Sequence, residues 1–597
     1  MSEIAGWVDF EGGPATADAV VTEMTRALAM GEYGDPRLWS GPGGALGLCD
    51  ARSPGPAGRA LLDARGARGP AVIAFGGACD NRAELRGLPG RPDGQGDAAA
   101  VLHAYRVLGD RFTEHLRGSY AFALWEPQDA ALTLVRDRLG TRPLYYLELA
   151  TGVVFASRPE AVLAHPAAHP ALDEDGLRIV LSGIAVPGRT VYRDVREVRP
   201  GHTVRFSREG RTERRYWALS AAEHRDDTAT TVARVRELLE EAVGEQTADA
   251  GRAGSLMSGG LDSSALAALL AGRREGRLAT FSVDYQGYEE NFRPHIVRPE
   301  PDSPYVRDMT AHLGSDHTDV VLTTGDLTAP DVWNALVAAL DQPRLFADTE
   351  PSMILLYRAV RGRLDTVLSG EGADELFGGF PWFHHPRWAQ APDFPWTPTT
   401  DELVGTLFAP AMRDLAVPEF RAEHYREALA ELPAPPDEEP RERRMREVGY
   451  LFVTRFLPEQ LDRAHRLSAG CGFDVRMPFC DHRLVEYALN IPWGVKNFDG
   501  SEKSVLRAAA ADLLPASVLE RRKSGYPMTH DRGYDRILRA KVGELAAGGP
   551  VLPLLDASVL ERLREDPSQG PALSRTELEL ALKLDAWLTR RRLALPY

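Results

Sequence analysis

The sequence predicts an α/β fold in two parts: a strand-rich α+β sandwich, then a doubly wound parallel sheet. Three observations carry this reading. Up to about residue 218 the apolar stretches are short and bounded by Gly, Pro or Asp, as in strands joined by tight turns. Between Ala218 and Thr230 the chain becomes polar and acidic and reads as a linker. From Ser255 onward, strand-like and helix-like stretches alternate, which implies parallel strands with helices on both faces. The expected domains are therefore 1–217 and 231–597, joined by a linker at 218–230.

In the first part, Ala71 to Phe75, Tyr120 to Trp125, Leu132 to Arg136 and Val153 to Ala156 read as strands. Asp97 to Leu108 has helical periodicity, and two or so helices are expected in all. After the linker, Val232 to Val243 is an amphipathic helix. A buried strand ends near Leu256 and runs into the apolar helix Ala265 to Leu270. Strand Thr280 to Val283, helix Tyr305 to Leu313, strand Asp319 to Leu322, helix Ser352 to Arg361 and strand Thr366 to Ser369 follow. The remainder reads as largely helical, including Glu502 to Leu513, with a Pro- and Glu-rich loop from Pro433 to Arg441. Ligands of such a sheet bind at the carboxyl ends of its strands.

Composition narrows the function classes. A hydrophobic content of 44% with 26% charged residues is that of an ordinary soluble globular protein. No apolar run reaches the roughly 18 residues of a membrane span, and MSEIAGWVDF lacks the basic and apolar regions of a signal peptide. Four cysteines make neither a disulfide framework nor a CxxC zinc pair, so a cytoplasmic location is expected. A net charge of −16 argues against general nucleic-acid binding. Only five of 70 basic residues are lysines, and none precedes Lys496. A lysine kept against such an arginine bias is a candidate for a role needing a compact ammonium. Lys541 and Lys583 lie in helical, charged surroundings and read as ordinary survivors.

Three motifs carry chemistry. Leu256-Met257-Ser258-Gly259-Gly260-Leu261-Asp262-Ser263-Ser264 places a Ser-Gly-Gly turn at a strand-to-helix junction. There, backbone N–H groups and the helix N-terminus favour an anion. Asp262 stands where a Walker loop needs lysine, which suits Mg²⁺ bridging a carboxylate to phosphate oxygens. The next strand ends in Ser369-Gly370-Glu371-Gly372-Ala373-Asp374-Glu375, so Asp262 and Asp374 are expected to face one another and bind one or two Mg²⁺. Glu520-Arg521-Arg522-Lys523-Ser524-Gly525-Tyr526 supplies a lysine in a basic loop.

The first motif resembles the pyrophosphate-binding loop of ATP pyrophosphatases. SGGLDSS, SGEGADELFGG and RRKSGY in that order, behind RDRLGTRPLYY and SYAFALW, resemble the asparagine synthetase family over nearly the whole chain. The resemblance implies an Ntn-hydrolase-like glutaminase sandwich followed by an ATP pyrophosphatase domain, with ATP and Mg²⁺ as cofactors. By position, Leu256, Ser258, Gly259, Gly260, Asp262, Ser263, Val283, Ser369 and Gly370 would form the ATP site, with Asp262 and Asp374 on Mg²⁺. Lys523 would neutralise charge at the α-phosphate and pyrophosphate. Glu371 would take a proton from an attacking amine or orient the intermediate, or else brace its loop. Lys503 reads as a structural residue at a helix start.

The departures from the family matter as much. Where the family's glutaminases carry a nucleophilic cysteine, this sequence reads Met1-Ser2-Glu3. The family's oxyanion-stabilising Asn-Gly corresponds to Gly76-Gly77. The segment clamping the glutamine carboxylate corresponds to Leu46-Gly47-Leu48-Cys49, while Asp97 keeps the acidic position for the amino group. The first domain is therefore expected not to release ammonia. An amine carried by the substrate itself is the alternative source, as in the superfamily's β-lactam synthetases and lasso peptide macrolactam cyclases. The glutamate of SGEG and the added length at Asp284 to Ser303 and Phe394 to Arg441 favour the lasso cyclase. Phe380 to His385 either lines a peptide-sized cavity or packs the core. The resemblance then implies a precursor peptide, a leader peptidase and a leader-binding protein as partners. Ammonia-driven synthesis of asparagine or another small amide is the rival expectation.

Overall fold

The computed structural model describes the chain except residues 1, 13–15, 30–33, 51–60, 67–68, 91, 93, 296–297, 346–348, 433–434, 436–437, 546, 569–570 and 597; for 63–66 it describes the backbone alone. The first domain stacks two six-stranded antiparallel sheets. Ser2–Asp9 lies inside one, between Gly44–Asp50 and Gly152–Ala156. Gly69–Cys79, Gly118–Glu126 and Ala131–Arg136 form the middle of the other. Strand alternation sends Ile4, Val8, Leu46 and Leu48 inward against Val72, Ala74, Ala123 and Trp125. Helix Ala17–Leu28 covers one outer face through Val21, Met24 and Leu28, and Asp97–Leu108 covers the other. Three shorter helices, Arg82–Arg86, Pro159–Leu163 and Glu174–Ser182, exceed the two or so expected. Each is too brief to show clear periodicity in the sequence.

Helix Thr228–Thr247 opens the second half and is longer than Val232 to Val243, because Asp227 caps it by accepting from the Thr230 N–H at 2.8 Å. Five parallel strands follow, in the spatial order Asp316–Leu322, Ala279–Tyr285, Ala253–Leu256, Thr366–Leu368, Asp474–Arg476. Leu261–Ala271 and Ser303–Leu313 pack together on one face, and Thr349–Val360 and Leu457–Cys471 on the other. Strand order reverses between Ala253–Leu256 and Thr366–Leu368, where an open α/β sheet forms its ligand crevice. The fifth strand escapes the sequence pattern because Val475 is its single apolar residue.

The segment Phe394 to Arg441 folds as Thr397–Val404, Ala409–Asp414 and Val417–Glu431, and the last packs on Glu174–Ser182 of the first domain. Part of the Pro433 to Arg441 loop lies outside the described residues, and helix Pro440–Leu451 begins before the loop's expected end. Phe383, Phe394, Trp396, Phe452 and Trp493 are buried together, so most of the aromatics around Phe380 pack a core. Lys583 corrects its reading as an ordinary survivor: it is buried and paired to Glu350 at 2.7 Å. Buried charges join the two halves. Glu3 faces His465 at 3.2 Å, Arg142 pairs with Asp474, and Arg158 reaches Asp341 at 3.0 Å. Among the described residues no helix is long and apolar enough to cross a membrane.

Candidate active site

The first loop is built as its sequence suggests. Gly259 takes φ +66°, and a Cβ there would lie 2.6 Å from that of Tyr305, so only glycine lets the turn sit on helix Ser303–Leu313. Ser263 Oγ accepts from the Ser258 N–H at 3.1 Å and shares a hydrogen bond with Ser258 Oγ at 3.0 Å, closing the loop on itself. No side chain caps the helix Leu261–Ala271 that starts at Gly260, which leaves its first N–H groups for an anion. Leu256 pairs with Phe281 in register, so Val283 stands beside the Ser258 level on the neighbouring strand.

Across the crevice, Ser369 and Gly370 close Thr366–Leu368. A Cβ on Gly370 would meet that of Asp262 at 3.1 Å, so the two loops touch. This contact brings Asp262 and Asp374 to one ammonium. Lys503 Nζ donates at 2.8 Å to both oxygens of Asp262 and at 2.8 Å to Asp374 Oδ1, and Lys523 Nζ donates to Asp374 Oδ2. Burial opposes ionisation of Asp374, but Lys503 and Lys523 outweigh it and hold its carboxyl down at about 2. Burial raises Asp262 against the pull of the same Lys503. Lys503 does directly precede helix Ser504–Ala509, yet its side chain belongs to the site, which corrects its reading as a purely structural residue.

Sequence reasoning also passed over Arg521. Its guanidinium donates to the Ser258 carbonyl at 2.9 Å and pairs with Asp302, which ties the basic loop to the first motif. Its signal was present in the arginine run before Lys523, but nothing local says which arginine turns inward. On the far wall, Glu371 accepts a hydrogen bond from the Ser369 hydroxyl. Tyr357, whose hydroxyl is pushed up by burial and then by Glu371, and Tyr526, whose hydroxyl meets Ser352 Oγ at 3.3 Å, stand nearby. Tyr357 sits on an amphipathic helix and reads there as core.

The 234–589 segment matches the asparagine synthase family, and 58–217 matches the glutamine amidotransferase domain. The chain belongs to the asparagine synthase family. It is 34% identical over 555 residues to asparagine synthetase [glutamine-hydrolyzing] 3 of Bacillus subtilis, covering 90% of this chain and 88% of that enzyme. It is 26% identical to asparagine synthetase B [glutamine-hydrolyzing] of Escherichia coli K12, over 72% of this chain and 64% of that enzyme. Among solved structures, glutamine phosphoribosylpyrophosphate amidotransferase from B. subtilis overlaps 54% of this chain and 91% of its own at 14% identity, with a TM-score of 0.28. As an asparagine synthase relative, the protein is an ATP-dependent amide-forming ligase. Among the described residues no cluster of three or more His, Cys, Asp or Glu forms a self-sufficient metal site. Asp262 and Asp374 instead fit a Mg²⁺ that arrives with nucleotide phosphates, which needs only one or two carboxylates from the protein.

In the amidotransferase half of this asparagine synthase relative, the residues at the expected pocket positions are engaged with the first strand and with one another. The Ser2 hydroxyl is bonded to Asp50. A Cβ on Gly76 would sit 2.8 Å from the Ser2 carbonyl oxygen, so no side chain amide fits there without displacing the first strand. Burial pushes the Cys49 thiol up to about 12 and the Cys79 thiol well above its ordinary value, which disfavours the thiolate form of both. Asp97 is paired to Arg82 at 3.1 Å.

Proposed function

We propose that the protein closes a macrolactam in a lasso peptide precursor. ATP activates an Asp or Glu side chain as an acyl-adenylate with release of pyrophosphate, and the peptide's own N-terminal amine displaces AMP. The observation that carries this reading is the contrast between the two halves. The synthetase crevice holds a full set of charges, whereas Gly76, backed against Ser2, leaves no room for an oxyanion-stabilising side chain in the first domain. The amine must then come from elsewhere.

Each residue group has a part. The Ser258–Ser263 loop and the helix N-terminus orient the phosphates, with Ser369, Gly370, Leu256 and Val283 around the nucleotide. Asp262 and Asp374 would hold a Mg²⁺, which would supply positive charge at the phosphate oxygens. Lys523 neutralises charge on the departing pyrophosphate and at the α-phosphate. Glu371 receives the proton of the attacking amine. Holding amine and acyl carbon together replaces a bimolecular step, worth roughly 7–11 kcal/mol of the barrier. In this reading the protein acts beside a leader peptidase and a leader-binding protein.

A second reading, ammonia-driven amidation of a small acid such as aspartate, is favoured by the 34% identity over 90% of the chain to an asparagine synthetase. One experiment separates the two. The enzyme is incubated with ATP and Mg²⁺ and either a core peptide plus the partner proteins or aspartate plus ammonium. Cyclisation gives AMP and a peptide one water lighter. An unchanged peptide together with aspartate-dependent AMP release transfers the assignment to the small amide.

A further inference from the structure

We propose that Lys503 is a built-in cation of the phosphate site that makes divalent-metal uptake conditional on nucleotide. The inference rests on reading Asp262 and Asp374 as the metal-holding pair. All four oxygens of that pair already accept from an ammonium: three from Lys503 and the fourth from Lys523. Two carboxylates and two ammoniums leave the cluster neutral, so a free divalent ion meets no net attraction and must compete with an ammonium at every oxygen. A nucleotide changes that balance. Its phosphate oxygens offer the lysines other acceptors, which releases carboxylate oxygens for the ion arriving with it.

Two further observations mark Lys503 as placed for this purpose. It holds φ +56°, a left-handed conformation costly for a residue with a long side chain, although it is 3% exposed. Gly379 also gives way to it: a Cβ there would lie 2.9 Å from Lys503 Cε and 1.9 Å from Asp374 Oδ1. A lysine serving only to start a helix needs neither feature.

The test uses the full-length protein and Mn²⁺, whose free concentration is read by electron paramagnetic resonance, with and without an ATP analogue that cannot release pyrophosphate. The native protein should bind Mn²⁺ at least tenfold more tightly with the analogue. Folded Lys503→Met should bind Mn²⁺ alone at least tenfold more tightly than the native protein, and adding Asp262→Asn should erase the gain. Lys523→Met, which frees one oxygen, should show a smaller gain and serves if Lys503→Met does not fold. Equal native affinity with and without analogue overturns the proposal while leaving the metal pair intact. So does a folded Lys503→Met (or, in its place, Lys523→Met) without the gain. No binding under any condition overturns the metal-pair reading as well.

Discussion

Arg521 Nη1 donates to the Ser258 carbonyl oxygen at 2.9 Å, a contact spanning 263 residues of chain. The same side chain pairs with buried Asp302 and lies over the Tyr305 ring at 4.3 Å. The basic loop is therefore fastened to the Ser-Gly-Gly turn, and Lys523 inherits its position from that fastening. Arg521→Met should leave Asp302 buried without its partner, at a cost of about 3–5 kcal/mol. Displacing Lys523 should lower ATP–pyrophosphate exchange on the order of 10²-fold. Thermal melting and exchange assays read both effects, and unaltered exchange in a folded variant would detach the arginine from the site.

Gly379 gives a sharper probe of the carboxylate cluster. A methyl group there would overlap Asp374 Oδ1, so the aspartate, the lysine or the loop has to move. Gly379→Ala should cut AMP formation by about 10²-fold while costing roughly 1–3 kcal/mol of stability, the usual range for overpacking. A variant that is folded and fully active would show that the cluster tolerates a shift of its acceptor.

How much of this was legible in the sequence follows from how local each feature is. The Ser258–Ser263 turn, the Ser369–Asp374 loop and Lys523 lie in strand–turn–helix or loop segments whose residues announce their chemistry. Arg521 and Lys503 were read wrongly or passed over, because what distinguishes each is a contact more than 200 residues away. Asp474–Arg476 was missed as a strand for a related reason: at the edge of the sheet two charged residues flank its one apolar residue, and Arg142, which pairs with Asp474, lies in the other domain.

Glu375 carries a pH signature. Burial, reinforced by Asp374, pushes its carboxyl up to about 8. The folded state therefore keeps a proton that the unfolded chain releases above about 4.5. Stability falls as pH rises through that window and levels off above it. Glu375→Gln removes the titrating group, so its melting temperature should gain on the native protein between pH 5.5 and pH 8.5, by an equivalent of about 3 kcal/mol. Parallel melting curves across this range would remove Glu375 from the account.

The domain junction yields the last expectation. Arg142 from the first domain pairs with Asp474 on the fifth parallel strand and meets His465 Nδ1 at 2.6 Å, while Glu3 faces the other ring nitrogen. Burial disfavours the Asp474 carboxylate, yet Arg142 and then Arg476 hold its carboxyl well below the usual range. A depressed carboxyl stabilises the folded state above its unfolded value of about 3.9, and that contribution is lost as pH falls below it. Arg142→Met removes the main compensation and strands Asp474 with Arg476 at 3.0 Å. Because a buried charge deprived of its partner costs about 3–5 kcal/mol, the docking of the two domains should weaken first. Calorimetry at pH 7 should then show the variant melting in two steps, with the first domain earlier, where the native protein melts in one. A drop to pH 3.5 should leave the native transition single, because Asp474 in the folded protein is still ionised and paired there. Identical single transitions for both proteins at both pH values would mean that apolar contacts alone hold the domains together.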